Sequence, residues 1–474
     1  MGAMSERRDL EADRLNPYLI SLFVLLSSAT IFEGFDSAML SFAAPDVRKS
    51  LGISLENWGF ISGLTRMGVL ASFLFMLTAD RVGRRFVMMV TVAGFAVANG
   101  LTAFVETSTG FVIAQFFARL FLTTEYALAV IMIGEEYPAR LRGRAIAILT
   151  SLATVGVMVM AKVQPFVLIP DGQQGGWLHE LGMSIVLWGQ AALGLESQAD
   201  GWRALYALGA IPLVLILGLR FTLRETRRFE AEQEELKSEA RGIDWKAHWE
   251  NAVRPWQPLY RKRTAIVALL WNCTHLVTAP SVVYWVIYAR EDLGLSTTQV
   301  GDIIFWGYGG GVAGHFVAGW LIDRIGRKFS CSFFYVTAAI SIYWLYHHPT
   351  VFGQYFWMVA TVFSFGAAMT ATHVYASELF PTEIRATGYG WTTNFLGRFT
   401  EVLTPMAIGA LIIPIGGIQN AIAVVAIGPV LGALLVLRYA PETRGLTLEQ
   451  IQQTLDETSG GLQAGPGESG RSGT

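Results

Sequence analysis

Charged side chains inside long apolar stretches are the features of this sequence that could do chemistry. Glu33 and Asp36 stand within the apolar run 18–42, three residues apart and so on one helical face. Close carboxylates repel when both are ionised, so such a pair can take up and release a proton. Alternatively, one of them simply pairs with an arginine. Arg398 lies 13 residues beyond Arg385, about 20 Å along a helix, which is the depth of a bilayer midplane. Arginine keeps its charge and can hold a carboxylate through two parallel hydrogen bonds. Arg398 is therefore a candidate for capturing an acidic substrate, with Glu401, three residues on, as its alternative partner. Glu125 sits near the middle of 111–133, and Arg119, six residues earlier, faces away from it. From a neighbouring helix, Arg119 or Arg66 could meet Glu33 or Asp36.

Asp36, Glu33 and Glu125 are thus the candidate proton-coupling groups. The candidate substrate-binding groups are Arg398, Arg119, Arg66, Glu401, His275 and Trp391, the last seven residues before Arg398 on one helical face. Lys162, near the end of its run, is expected to snorkel to the surface. His275, His315 and His373 lack metal-ligand spacing and read more readily as packing residues than as proton relays. The two cysteines, Cys273 and Cys331, form no disulfide framework. No metal site and no cofactor are expected; a proton gradient would supply the energy.

The elements that position these charges must be membrane helices. A charge at the bilayer centre costs roughly 2.5–3.5 kcal/mol on insertion scales, so it faces the interior of a helix bundle. The chain has 474 residues, of which 53% are hydrophobic and 15% charged, against about 25% charged in ordinary soluble proteins. Its mean hydropathy is +0.43. Apolar runs long enough to cross a bilayer occur at 18–42, 59–79, 86–105, 111–133, 145–168, 203–221, 264–289, 299–322, 329–347, 351–376, 386–412 and 418–438. With both termini in the cytoplasm, 27 of the 35 lysines and arginines fall in the tails and even-numbered loops and three in the outer loops. That bias sets the orientation. Leu181–Leu195 is too short to span, so 169–202 is expected to be an outer loop carrying a short helix on the membrane. The N-terminal region mixes acids with bases and does not read as a signal peptide. A net charge of −2 gives no footprint for nucleic acid.

An internal repeat organises the spans. Asp80-Arg81-Val82-Gly83-Arg84-Arg85 returns as Asp323-Arg324-Ile325-Gly326-Arg327-Lys328, and Glu135-Glu136-Tyr137-Pro138 with Arg142 returns as Glu378-Leu379-Phe380-Pro381 with Arg385, both at an offset of 243. Leu51-Gly52-Ile53-Ser54 returns as Leu293-Gly294-Leu295-Ser296 at 242. The organisation is then a cytoplasmic N-tail (1–17), a six-helix half (18–221), a polar cytoplasmic connector (222–263), a second six-helix half (264–440) and a cytoplasmic C-tail (441–474) with a disordered end. Two parallel halves place a binding site at their interface near the midplane, opened to each side in turn.

These motifs resemble the signature of the major facilitator superfamily. The two Asp-Arg-x-Gly-Arg-Arg/Lys loops carry the resemblance, with Glu-x-x-Pro-x-x-x-Arg after spans four and ten and Pro441-Glu442-Thr443-Arg444-Gly445 after span twelve. It covers about 18–450 and implies an all-α membrane protein of twelve transmembrane helices in two parallel six-helix repeats, the major facilitator fold. One departure is Met76, where the family has a glycine; the second half keeps Gly319. That change is expected to loosen packing between spans two and eleven. The resemblance also implies a gating latch across the cytoplasmic face, built from Asp80, Arg81, Arg84, Arg85, Glu136, Arg142, Asp323, Arg324, Arg327, Glu378 and Arg385. On the residues alone, the arginines can equally serve only to set topology.

Gly34-Phe35-Asp36, Arg119 and Gly397-Arg398 with Pro405 look like the aromatic acid:proton symporter branch; Glu33-x-x-Asp36 and Glu125-Tyr126 are also similar to the metabolite:proton symporter branch. The sugar-porter branch shares the Pro-Glu-Thr-Arg-Gly ending but not its helix-seven glutamines, since Trp271-Asn272-Cys273-Thr274 stands there. The resemblance thus implies a proton-coupled symporter importing a small organic acid, possible aromatic acids included. It would be a multi-pass protein of a bacterial inner membrane or a plasma membrane, working as a monomer with substrate, protons and lipid as its only partners. A sugar or other metabolite porter and a proton-antiport exporter remain alternatives. No enzymatic activity is expected. An ATP-driven pump is disfavoured by the absence of a Gly-x-x-x-x-Gly-Lys-Ser/Thr loop, and no channel selectivity element is visible.

Overall fold

The computed structural model describes residues 17–76, 79–169, 174–198, 200–221, 223, 250, 253–279, 283–381, 384–445, 450–451 and 453. Most of the expected connector and tails lies outside these residues. The first half is built from α1 (Pro17–Ser50), α2 (Leu55–Met76), α3 (Arg84–Thr102), α4 (Ser108–Glu136), α5 (Ala139–Val163), α6 (Trp177–Leu193) and α7 (Gly201–Arg220). The second half comprises α8 (Arg261–Ala279), α9 (Thr297–Ile325), α10 (Arg327–His347), α11 (Val351–Glu378), α12 (Phe399–Ile412), α13 (Ile418–Val425) and α14 (Ile427–Tyr439). Short turns at Trp285–Ile287 and Tyr288–Asp292 follow α8, and Arg385–Tyr389, Gly390–Phe395 and Leu396–Arg398 lead into α12.

Ten helical stretches among the described residues are long and apolar enough to cross a membrane. The other two expected crossings are the seventh, begun by α8 with polar Asn272, Thr274 and His275, and the eighth, α9, diluted by Gly307, Gly309, Gly310 and Gly311. The residues between α5 and α7 do contain a separate helix, α6. It packs against α7 where Gly182 meets Ala204 and Leu208, and against Phe104 through Gly189.

The repeat is visible in local geometry. Gly52 and Gly294 adopt φ of 62° and 64°, and Gly83 and Gly326 adopt 100° and 102°, left-handed values that residues with a Cβ rarely reach. Thr107 caps α4 by accepting the Gly110 N–H, and Thr350 caps α11 by accepting the Gly353 N–H. Packing repeats as well: α2 on α4 as α9 on α11, α3 on α7 as α10 on α14, and α1 on α7 as α8 on α14.

Between the halves, α2 packs on α12 and α5 on α9. The α2–α12 contact is tight where Gly59 meets Gly409: a Cβ on Gly59 would lie 2.8 Å from the Gly409 Cα. Met76, at the far end of α2, does not set this contact; the glycines in the opposite half of the helix do. One apolar cluster joins the halves at the end opposite the basic loops, here called the outer end. It runs from Phe42, Trp58 and Trp202 to Tyr284, Trp285 and Ile408. At the basic end, each half keeps its own core, around Leu22, Met132 and Leu149 in the first and Trp271, Phe334 and Tyr375 in the second.

Candidate functional site between the halves

Six charged side chains meet near the middle of the bundle. Arg66 of α2 donates to Glu401 of α12 at 3.1 Å, across the two halves. Arg398 donates to the other Glu401 oxygen at 3.3 Å. Glu401 is therefore clamped between two guanidiniums, and the self-pairing open to it in the sequence is only half of its environment. Arg119 of α4 faces Asp36 of α1 at 3.7 Å, which is an ion pair but longer than a hydrogen bond. Glu33, one turn before Asp36, lies within electrostatic reach of Arg398, Arg119, Glu401 and Asp36. Its Oε2 and both Asp36 oxygens are buried without a hydrogen-bond partner among the described residues. Buried polar atoms are normally satisfied, so these oxygens are positioned for a proton, a water or a ligand. Three carboxylates thus face three arginines.

An aromatic wall adjoins the charges. Trp271 stacks on His275 at 5.7 Å and meets His373 edge-on at 4.6 Å. His373 pairs with the Tyr389 hydroxyl at 2.7 Å. His275 lies within reach of Glu401, Arg398 and Arg66, and its Nδ1 is buried without a partner among the described residues. Tyr126 of α4 lies within electrostatic range of Glu33 and Arg398 from the first half. His315, by contrast, bonds Thr370 at 2.8 Å.

Two candidates stand apart. Glu125 pairs with Arg220 at 2.5 Å and accepts from Thr91 at 3.0 Å, all within the first half. Between Trp391 and Arg398 the chain passes from a π turn at Gly390–Phe395 to a 3₁₀ turn at Leu396–Arg398. Trp391 packs on Phe73 at 5.5 Å and Trp256 at 5.7 Å, toward the basic end.

Several latch residues pair within their own half. Arg84 binds Glu135 at 3.0 Å, and Arg327 binds Glu378 at 3.0 Å and Asp323 at 3.4 Å. Arg85 donates to the Phe221 carbonyl, and the Arg324 guanidinium lies 4.6 Å over Trp320. The side chains of Asp80, Arg81, Arg142 and Arg385 lie outside the described residues. The counterpart of Glu378 is Glu135, not Glu136; the 243-residue offset already pointed to it.

Further ion pairs that join the halves stand at the outer end. Arg48 reaches Glu291 at 2.6 Å, Arg290 reaches Asp46 at 2.6 Å, and Lys162 reaches Asp302 at 2.5 Å. Lys162 therefore pairs across the interface rather than only snorkelling. Gln164 adds a bond across the interface to the Thr297 carbonyl at 2.6 Å, and within the second half the Tyr284 hydroxyl donates to the Pro405 carbonyl at 2.8 Å. The outer end is closed. Asp46, Arg290 and Glu291 were overlooked because charges at helix ends and loops read as topology signals; their opposite signs on the end of α1 and the chain after α8 were the available clue. A groove of about 640 Å³ lies elsewhere, between α3, α4 and α6, with an apolar lining and no charged group.

Comparison with known proteins agrees with this architecture. The Major Facilitator Superfamily profile matches residues 26–397, with a second match over 276–459. The chain is 26% identical to the putative niacin/nicotinamide transporter NiaP of Bacillus subtilis, over 88% of this chain and 95% of that protein. It is 24% identical to the gallate transporter of Pseudomonas putida (82% and 85% covered) and 22% to the cis,cis-muconate transport protein of Acinetobacter baylyi (82% and 86%). The inward-open structure of the xylose transporter XylE from E. coli superposes with a TM-score of 0.71 at 18% identity, covering 92% of this chain and 99% of that one. With its two six-helix repeats, its paired basic loops and this match along most of its length, the chain belongs to the Major Facilitator Superfamily.

Proposed function

We propose that the protein is a proton-coupled symporter that imports small organic acids, planar ones included, by alternating access. The observation that carries this reading is the charge balance of the central site. Glu33, Asp36 and Glu401 offset Arg66, Arg119 and Arg398 when all are ionised. One added proton leaves a single positive charge, which a monocarboxylate neutralises. The loaded and the empty carrier are then both neutral at the midplane, where uncompensated charge is costly. A carrier holding only the proton or only the anion is charged, which opposes rocking and couples the two fluxes.

In this reading Asp36, with Glu33, takes the proton. Asp36 already faces Arg119, while Glu33 has an unpartnered oxygen toward the arginines. Arg398 exchanges part of its bond to Glu401 for the substrate carboxylate, and Trp271, His275, His373 and Tyr389 offer a flat wall for a ring. The relatives named for niacin, gallate and cis,cis-muconate support small planar acids as the substrate class. Both halves of one chain supply the site, which supports function as a monomer. The bias of lysine and arginine supports a cytoplasmic location for the basic ends.

The test is uptake into proteoliposomes of labelled nicotinate, benzoate, cis,cis-muconate and xylose, with and without an inward proton gradient. Accumulation of an acid only with the gradient, abolished in Asp36→Asn and Arg398→Ala, is the expected result. Accumulation of xylose alone, or export of acid against the gradient, overturns the reading.

A further inference from the structure

The chain entering α12 contains a helical rung that has been opened and refilled by a side chain from another helix. In an α-helix the Thr400 N–H would donate to the Leu396 carbonyl. Here the Thr400 N–H donates to the Asn272 side-chain oxygen at 3.0 Å, and the Asn272 side-chain nitrogen donates to the Leu396 carbonyl at 2.8 Å. The second Asn272 N–H goes to the Ala268 carbonyl at 2.8 Å, and the Thr400 hydroxyl donates to the Asn272 carbonyl at 2.8 Å. The amide of Asn272 therefore sits inside the ladder as a surrogate peptide group. Side-chain insertion of this kind kinks helices, and irregular backbone at membrane depth survives only where its polar groups find partners.

The opened rung has a consequence for the charges. Arg398 lies inside it, with φ −100° and ψ 1°, and Phe395 just before it has φ −112° and ψ −75°. Glu401 follows immediately after. Gly397 lies against Trp271, where a Cβ would come within 2.4 Å, so no larger residue fits beside the inserted amide. The direction in which Arg398 and Glu401 leave the backbone is thus set from α8.

From this geometry we infer that Asn272 is a positioning residue: it holds the turn 396–400 open and thereby aims Arg398 and Glu401 into the central site. The inference deepens the proposed function and rests on it for the role of Arg398, but not for the opened rung itself.

Two measurements test it on the full-length protein. The first is hydrogen–deuterium exchange of peptides covering 390–401, in wild type, Asn272→Leu and Asn272→Asp. Leucine has a similar volume and no amide; aspartate keeps the acceptor for Thr400 but loses the donors to Leu396 and Ala268. Changed exchange at 396–400 in both variants, with α10 unchanged, is expected; exchange identical to wild type in both overturns the inference. The second is nicotinate uptake in proteoliposomes. Loss of the bonds from Asn272 to Thr400 and Leu396 raises KM roughly tenfold or more, with kcat per folded carrier little changed. Thr400→Val, which keeps the inserted amide, retains the wild-type KM. A variant that folds and transports with wild-type KM overturns the inference, since a purely structural role lowers the amount of carrier and not its affinity. Asn272→Asp decides this arm if Asn272→Leu does not fold. Failure of wild type to take up nicotinate, benzoate or cis,cis-muconate refutes the proposed function, while the exchange measurement still decides the role of Asn272.

Discussion

Reversing one charge at the outer end should move the carrier between its two states. Arg48 and Glu291 meet at 2.6 Å with side chains 12% and 42% exposed, and Arg290 with Asp46 forms a neighbouring pair. A partly exposed pair contributes up to about 1 kcal/mol. In Arg48→Glu that attraction is lost and a carboxylate is set against Glu291. Loss and repulsion together destabilise the outer-closed state by about 1.4 kcal/mol, a shift of roughly tenfold toward the outer-open state. The assay is labelling of Ile408→Cys by a membrane-impermeant maleimide added from outside. Ile408 is fully buried in the apolar cluster that joins the halves, so it reacts only when the outer end opens. Labelling should rise several-fold in Arg48→Glu and return to the starting level in Arg48→Glu/Glu291→Arg. Raised salt should increase labelling of the unswapped protein by screening the same pairs. If Arg48→Glu leaves labelling unchanged, or if the swap does not restore it, the outer ion pairs do not hold the closed state and the reasoning fails.

Further expectations concern the buried pairs and pH. Arg220→Ala leaves Glu125 buried without its cation and should cost about 3–5 kcal/mol, read as a lower unfolding midpoint in detergent with proton-driven uptake per folded carrier unchanged. Glu33→Gln removes one exchangeable proton site and should abolish accumulation against the substrate gradient while leaving substrate exchange measurable with labelled nicotinate. At the basic end, partial burial pushes the Glu442 carboxyl up, but the Arg327, Lys328 and Arg444 backbone N–H groups pull it below the ordinary glutamate value. A depressed carboxyl contributes stability above its unfolded pKa and loses it as pH falls through the folded pKa. Acidification below about pH 4 should therefore destabilise wild type relative to its neutral-pH value by more than it destabilises Glu442→Gln, as followed by thermal unfolding.

Much of the architecture was legible because a bilayer enforces simple rules. The length of the apolar runs, the distribution of arginines and the repeated motifs each follow from one physical constraint, and they lead to the twelve-helix fold. The gathering of Glu33, Asp36, Arg66, Arg119, Arg398 and Glu401 was legible for the same reason, since charges at that depth must meet. Their pairing was not. Arg119 with Asp36 and Arg66 with Glu401 are contacts between helices, and helix order around the bundle is not written in periodicity. The π and 3₁₀ turns through 390–398 were not legible, because the apolar pattern there reads as an ordinary helix. Asn272 escaped notice because a single asparagine in an apolar run signals nothing until its partner strand of backbone is known. The outer ion pairs escaped because their members sit 243 and 244 residues apart, in segments where charge is ordinary.

The irregular backbone is unevenly shared between the halves. In the first, α1, α2, α4 and α7 run as continuous α-helices, α1 and α7 with the internal prolines Pro45 and Pro212, and Arg203 ties the start of α7 to the Ala103 and Val105 carbonyls at the end of α3. In the second, the turns after α8 and the opened rung before α12 interrupt two of the helices that line the site. Breaks in the i to i−4 ladder are where a helix bends most easily, so the second half offers points of bending beside the site in addition to the seam between the halves.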